Sequence, residues 1–227
     1  MDMNSKMALR WICLLLFLVG SSRVLAEEEF AARVDGLRGT AEVVATDTTV
    51  RPVAQGDALR SGETVRVGAA SRISLKFSDG ALFEIGPNGR LVIDKYVRSA
   101  EPENSAFLTR VLFGTFRIVT GLIGRRQPRV MNVGIAVATI GLRGTHFVGE
   151  VKEDSAVVIL QESEEAGRPS AVEVYNDFGR VTIDQPGYGT EIPDRFSPPS
   201  PVRRMQATQI QNILRAIRSN PPIFMPR

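Results

Sequence analysis

Few side chains in this sequence are equipped for acid–base, nucleophilic or metal chemistry. His146 is its single histidine and Cys13 its single cysteine. A serine nucleophile would need His146 or a lysine as its base, and an imidazole or thiolate metal site would need more ligands than these. His146 sits among strand formers, Thr145–Val151, and reads as an ordinary strand histidine. Nothing nominates a carboxylate pair for glycoside cleavage. The order Glu150-Val151-Lys152-Glu153-Asp154 lacks the ligand pattern of a calcium hand. Asp79, directly before Gly80, reads as a turn residue. The residues therefore predict no catalytic set, no cofactor and no metal.

Arg143 has the most distinctive setting. Gly141 and Gly144 frame it within Ala138–Phe147, with β-formers on both sides. Glycine suits positions of positive φ or close approach, so this stretch reads as a sharp bend between two buried strands. A guanidinium held there can satisfy several backbone carbonyls, or grip a carboxylate with two parallel bonds. The first role is the expectation, and ligand contact is the alternative. The same pentapeptide, Gly-Leu-Arg-Gly-Thr, occurs at Gly36–Thr40 and places Arg38 at a corresponding corner. Gly114-Thr115-Phe116-Arg117 is a third echo. One structural device is reused. The basic run Arg125-Arg126-Gln127-Pro128-Arg129 has no interleaved aromatics, so it reads as a solvated turn rather than a nucleic-acid contact.

The elements that must position these residues start after residue 26. Lys6 and Arg10 precede an apolar core, Trp11–Val19, and Val24-Leu25-Ala26 fits a cleavage site, so residues 1–26 read as a signal peptide. Cys13 lies inside that core. Residues 27–227 then carry no cysteine and, without one acid and three bases, a net charge of +1. The charge is segregated. Asn104–Gly149 holds six arginines and no acid, Glu150–Asp184 holds nine acids, and Arg195–Arg227 returns to six arginines and no acid.

Residues 27–185 read as an all-β domain of many short strands. Ile73, Leu75 and Phe77 alternate with Arg72, Ser74 and Lys76, placing one face in a core. Asp79-Gly80 predicts a two-residue type I′ hairpin turn. Leu108–Leu112 and Thr115–Thr120 read as two strands, and Gly121–Arg129 as a turn. Residues 186–202 read as a Pro-rich linker. Residues 203–227 read as a tail with one amphipathic helix, Arg203–Arg218, carrying Ile210, Ile213, Leu214 and Ile217 on one stripe and Arg215 and Arg218 elsewhere. A free helix of this length is marginal in water. It is expected to fold back on its own domain, steered by the acidic segment, or to serve as a handle for a partner groove or an anionic membrane surface.

Three motifs together carry a family resemblance. They are Gly56-Asp57-x-Leu59-x-x-Gly62-Glu63-x-Val65, then Ser71-Arg72-x-x-Leu75-x-Phe77-x-Asp79-Gly80, then Ala138-Thr139-Ile140-Gly141-Leu142-Arg143-Gly144-Thr145-x-Phe147. In this order and spacing the sequence resembles the FecR-like domains of bacterial envelope proteins, from about Arg33 to about Ile183. The resemblance implies a solenoid-like or twisted multi-stranded β domain outside the cytoplasm, with no catalytic residues to carry over. Founding members relay an iron-transport signal to a sigma factor. This sequence reads instead as a stand-alone secreted member without the anti-sigma region, and Ile135-Ala136 stands where the family often has Thr-Pro.

The expectation is a secreted, non-enzymatic module in the periplasm or outside the cell, acting by protein interaction or sensing on an envelope partner. A glycan-binding or glycan-processing envelope protein is the alternative. Candidate structural or interaction residues are Arg38, Arg143, Gly141, Gly144, Arg215 and Arg218.

Overall fold

In the computed structural model, the sequence of alternating apolar residues becomes two long runs of strands that share one member. The structure describes residues 30–97, 105–126, 131–143, 146–162 and 170–218. The strands are β1 (Ala32–Arg38), β2 (Ala41–Val44), β3 (Val50–Pro52), β4 (Ala58–Leu59), β5 (Thr64–Val67) and β6 (Arg72–Phe77). They continue as β7 (Leu82–Ile85), β8 (Arg90–Val97), β9 (Ala106–Val119), β10 (Met131–Ile135), β11 (Ala138–Arg143) and β12 (His146–Val151). The last are β13 (Ala156–Leu160), β14 (Ala171–Asn176), β15 (Gly179–Ile183), β16 (Tyr188–Ile192) and β17 (Arg203–Arg204). Two helices, α1 (Leu122–Arg126) and α2 (Ala207–Arg218), accompany them.

Pairing orders the first run as β4-β1-β6-β7-β9-β12-β13-β16-β17. The second runs β3-β2-β5-β8-β9-β10-β11-β14-β15. Only β9–β10 is parallel among these pairs. The chain passes back and forth between the runs as it advances, which gives the fold its solenoid-like character and confirms the all-β expectation.

Strand β9 belongs to both runs. Its first half pairs with β8 and β10, and from Gly114 onward it pairs with β7 and β12. Gly114 has φ +96°, and a Cβ there would lie 2.7 Å from Gly89 Cα, so only glycine lets the strand cross at this point. The expected break between two strands is therefore a bend inside one.

Both runs face a common core. Phe77 and Phe83 from the first run meet Tyr96 and Phe107 from the second at ring separations of 4.6–5.5 Å. Their tilted and offset arrangements suit aromatic quadrupoles and lock the layers together. The alternation in β6 holds as read, with Ile73, Leu75 and Phe77 buried.

Four sequence expectations change. The Asp79-Gly80 hairpin has a three-residue loop: Phe77 N donates to Ala81 O at 2.9 Å, Gly80 N to Phe77 O at 2.9 Å, and Gly80 alone carries positive φ. That is a type I turn with a glycine bulge rather than a type I′ turn. Asp79 keeps the negative φ of the second central residue of a type I turn. Its carboxylate accepts from Ala81 N and Ile123 N, both at 3.1 Å, so the buried acid caps α1 in a stretch expected to be a turn.

Residues 186–202 are not a free linker either. They contain β16, antiparallel to β13, and Thr190 Oγ1 donates to Ser200 O at 2.6 Å. Strand β13 is buried at all five positions, so its neighbours must cover it on both sides. Helix α2 also begins later than Arg203: Arg203 and Arg204 form β17 on the edge of β16.

Helix α2 folds back onto the outer face of the first run. Ile213 and Ile217 are buried against Val148, Val157 and Ile159, with Met205 beside them and Ile210 and Leu214 partly covered. Burying each isoleucine contributes about 1.5–3 kcal/mol, which offsets the poor intrinsic stability of a twelve-residue helix. Apolar packing makes this seat, and just before the helix Arg203 pairs with Glu191 at 2.8 Å.

A candidate interaction cleft at the end of the C-terminal helix

The duplicated pentapeptide marks two passages between the runs. β1 ends at Arg38 in the first run and β2 begins at Ala41 in the second. β11 ends at Arg143 in the second run, and β12 begins at His146 in the first. In each copy one strand ends at the arginine and the next belongs to the other run, the two copies crossing in opposite directions.

At the first passage the demand for glycine is specific. Gly39 has φ +78°, and a Cβ on it would sit 2.2 Å from Ser71 Oγ, the group that accepts from Thr40 N at 2.8 Å. By contrast, a Cβ on Gly141 would meet only ordinary contacts, the nearest at 3.8 Å. Gly36, its counterpart, has the same 3.8 Å clearance. At the first passage Gly39, the second glycine of the motif, makes the corner, whereas Gly36 and Gly141 lie within strands with room for a Cβ. Arg143 closes β11 opposite Ala171. Gly144 and Thr145 lie outside the described residues.

Beside the first corner opens a cleft of about 560 Å³, bounded by β1, β6, β7 and the last turn of α2. It brings together Arg38 and Arg218, two of the residues singled out from sequence, with Arg72, Glu84 and Ile217. Arg215 lies on the same helix, exposed and outside the cleft. Arg38 and Arg72 are direct cross-strand partners, an arrangement that like charges disfavour. Arg72 resolves the conflict by turning to the helix: its Nη1 donates to Ile217 O at 3.4 Å and also to Arg218 O. These carbonyls form the negative end of the α2 dipole, so the guanidinium both caps and anchors the helix. Ala216 O approaches to 3.5 Å from where a Gly86 Cβ would stand, showing how closely the helix lies on the sheet.

The wall containing Glu84 continues into a polar chain that the sequence did not reveal. Glu84 and Arg117 are cross-strand partners and pair at 2.6 Å. Arg117 Nε donates to His146 Nε2 at 2.7 Å, and His146 Nδ1 lies 3.0 Å from Glu162 O. Because Nε2 accepts and a carbonyl faces Nδ1, the pattern assigns the neutral Nδ1–H tautomer. His146 is thus a linker between strand and loop rather than an ordinary strand histidine. Its partners stand 29 and 16 residues away, with no local signal to find them.

Elsewhere on the second run, Arg110 Nε lies 2.9 Å from both Asp94 oxygens. Those hydrogen bonds raise the Arg110 pKa further above its usual value, against a smaller opposing effect of burial. Among the described residues, no group of three or more His, Cys, Asp or Glu side chains is placed to hold a metal ion.

With this geometry in hand, comparisons place the fold. Residues 63–164 match the family model described as FecR protein, a narrower span than the motifs suggested. No curated protein matches the chain in sequence. Two crystal structures of a proposed anti-sigma factor from Parabacteroides distasonis ATCC 8503 share the fold, each with a TM-score of 0.50 at 12% identity. Each match covers 67% of this chain and 64% of the other, so the chain spans less than two thirds of that protein's length.

Proposed function

We propose that this chain, whose residues 63–164 form a FecR domain, is a non-enzymatic binding module of the bacterial cell envelope that acts by contact with a protein partner. The observation that carries this reading is the arginine-lined cleft where the C-terminal helix meets the β domain. Three arginines from three separate elements, Arg38, Arg72 and Arg218, line it together with Asp35 and Glu84, and Arg72 holds the end of the helix that supplies the third. Planar guanidinium groups suit carboxylate recognition, so the partner surface expected there presents acidic side chains. An anti-sigma factor acts by contact with another protein; this reading carries over that mode of action and not that partner. The location rests on the leader-like residues 1–26, which would route the chain across the inner membrane.

The test is crosslinking in the intact bacterium, followed by purification of the protein and mass spectrometry of whatever is joined to it. The reading expects a reproducible envelope protein, lost when Arg38 and Arg218 are both changed to glutamate. Retention on isolated peptidoglycan or polysaccharide with no protein joined would contradict it.

A further inference from the structure

Among the described residues the two runs end in four edge strands, and three of them are blunted. β3 has three residues and ends in Pro52, which has no N–H to offer. β4 has two residues, and β17 has two, both arginines. Short, charged or proline-bearing edges discourage pairing with another chain. β15 is different. It is five residues long, contains no proline or lysine, and among the described residues has β14 as its only strand partner. Phe178, immediately before it, is 52% exposed.

We infer that β15 is a self-association edge, on which β15 of a second copy pairs antiparallel about a two-fold axis at Val181. The register argues for a second copy. Centring on Val181 sets Arg180 opposite Thr182 of the other copy and Gly179 opposite Ile183, so no like charges face directly. The one charge on the strand is already met: Arg180 Nη1 pairs with Glu173 at 3.0 Å and its guanidinium lies 5.6 Å from the Tyr175 ring centre. The edge is therefore electrically neutral toward its own image. Pairing joins the second runs of two molecules into one continuous sheet, through backbone bonds that an isologous interface makes twice.

Sedimentation velocity over a concentration series, on the full chain as a bacterial host delivers it, reads the association state. A dimer that dissociates on dilution is expected. Thr182→Arg places arginines opposite one another across the axis while facing Glu173 within its own sheet, so it should give a monomer that melts as the wild type does. Adding Arg180→Thr restores an arginine–threonine pair and should restore the dimer. In a Cys13→Ser background, Val181→Cys should form an intermolecular disulfide on oxidation, which reads the register even if a charge variant folds poorly. A monomer at every concentration overturns the inference. So does a dimer that is indifferent to Thr182→Arg, or one that Val181→Cys fails to crosslink.

Discussion

Arg72 on β6 donates to the carbonyl of Ile217, 145 residues later, at 3.4 Å. This contact ties the last turn of α2 to the β domain and closes one side of the arginine cleft. Arg72→Ala should destabilise the protein by about 1–3 kcal/mol, the cost of losing charged hydrogen bonds to the helix end. Arg72→Lys should recover only part, because the planar fork is lost. Denaturant titration, with hydrogen exchange over Ala207–Arg218, measures both effects.

Ile217 and Ile213 supply the apolar half of the same seat. Ile217→Ala should cost about 2–5 kcal/mol through lost burial and the cavity left behind. Removing the chain after Gln206 should expose Val148, Val157 and Ile159 and produce binding of a hydrophobic dye. A truncated protein that melts like the parent and binds no dye would show that the helix contributes nothing to the fold.

The duplicated pentapeptide gives a matched pair of variants. Gly39→Ala forces a side chain into a left-handed backbone conformation and onto Ser71 Oγ, and should cost several-fold more than Gly141→Ala. Thermal melts of the two proteins, side by side, test this. Equal losses would show that Gly141 is also needed at its passage.

The β2–β3 turn carries strain and a titrating group together. Thr48 is a β-branched residue at φ 69°, so Thr48→Asn should stabilise by about 0.5–1 kcal/mol. Its neighbour Asp47 accepts from Thr49 N at 2.9 Å, and hydrogen bonds to Thr49 hold its carboxyl pKa below the usual value. A folded-state pKa lowered in this way contributes stability above the unfolded carboxylate pKa, near about 3.9. That contribution disappears as the pH falls through the lowered folded value. Asp47→Asn should make the acid limb of a stability–pH profile shallower, and an unchanged limb would show the turn to be electrostatically idle.

Much of the β framework was legible because alternation in β6 and the isoleucine stripe in α2 each report a half-buried face. Two of the passages between the runs carried a visible mark too, since the pentapeptide repeats at them. β16 was missed because Pro186-Gly187 and Ile192-Pro193 are local turn signals that outweighed Tyr188–Ile192. The clue lay elsewhere, in Ala156–Leu160, whose unbroken apolar run needs cover on every side. The cleft was legible only in pieces. Arg38 and Arg218 stood out as motif and helix residues, but Arg72 read as a solvent-facing member of an alternating strand and no pattern singled out Glu84. Their roles depend on strand register and helix docking, which no local pattern encodes.

The leader-like residues 1–26 offer a separate check. Expressed in a bacterium, the protein should be recovered outside the cytoplasm with Glu27 as its first residue, by N-terminal sequencing. Full-length chain held in the inner membrane would instead make residues 1–26 an anchor.

The central claim is that a protein partner binds at the arginine cleft. A photo-crosslinking amino acid placed at Ser74, which lines the cleft, tests it most directly against the same group at Glu153 in the β12–β13 turn. One partner adduct is expected from position 74 in living cells, abolished by Arg218→Glu and absent from position 153. The same adduct from both positions, or one that survives Arg218→Glu in a properly folded protein, would contradict it.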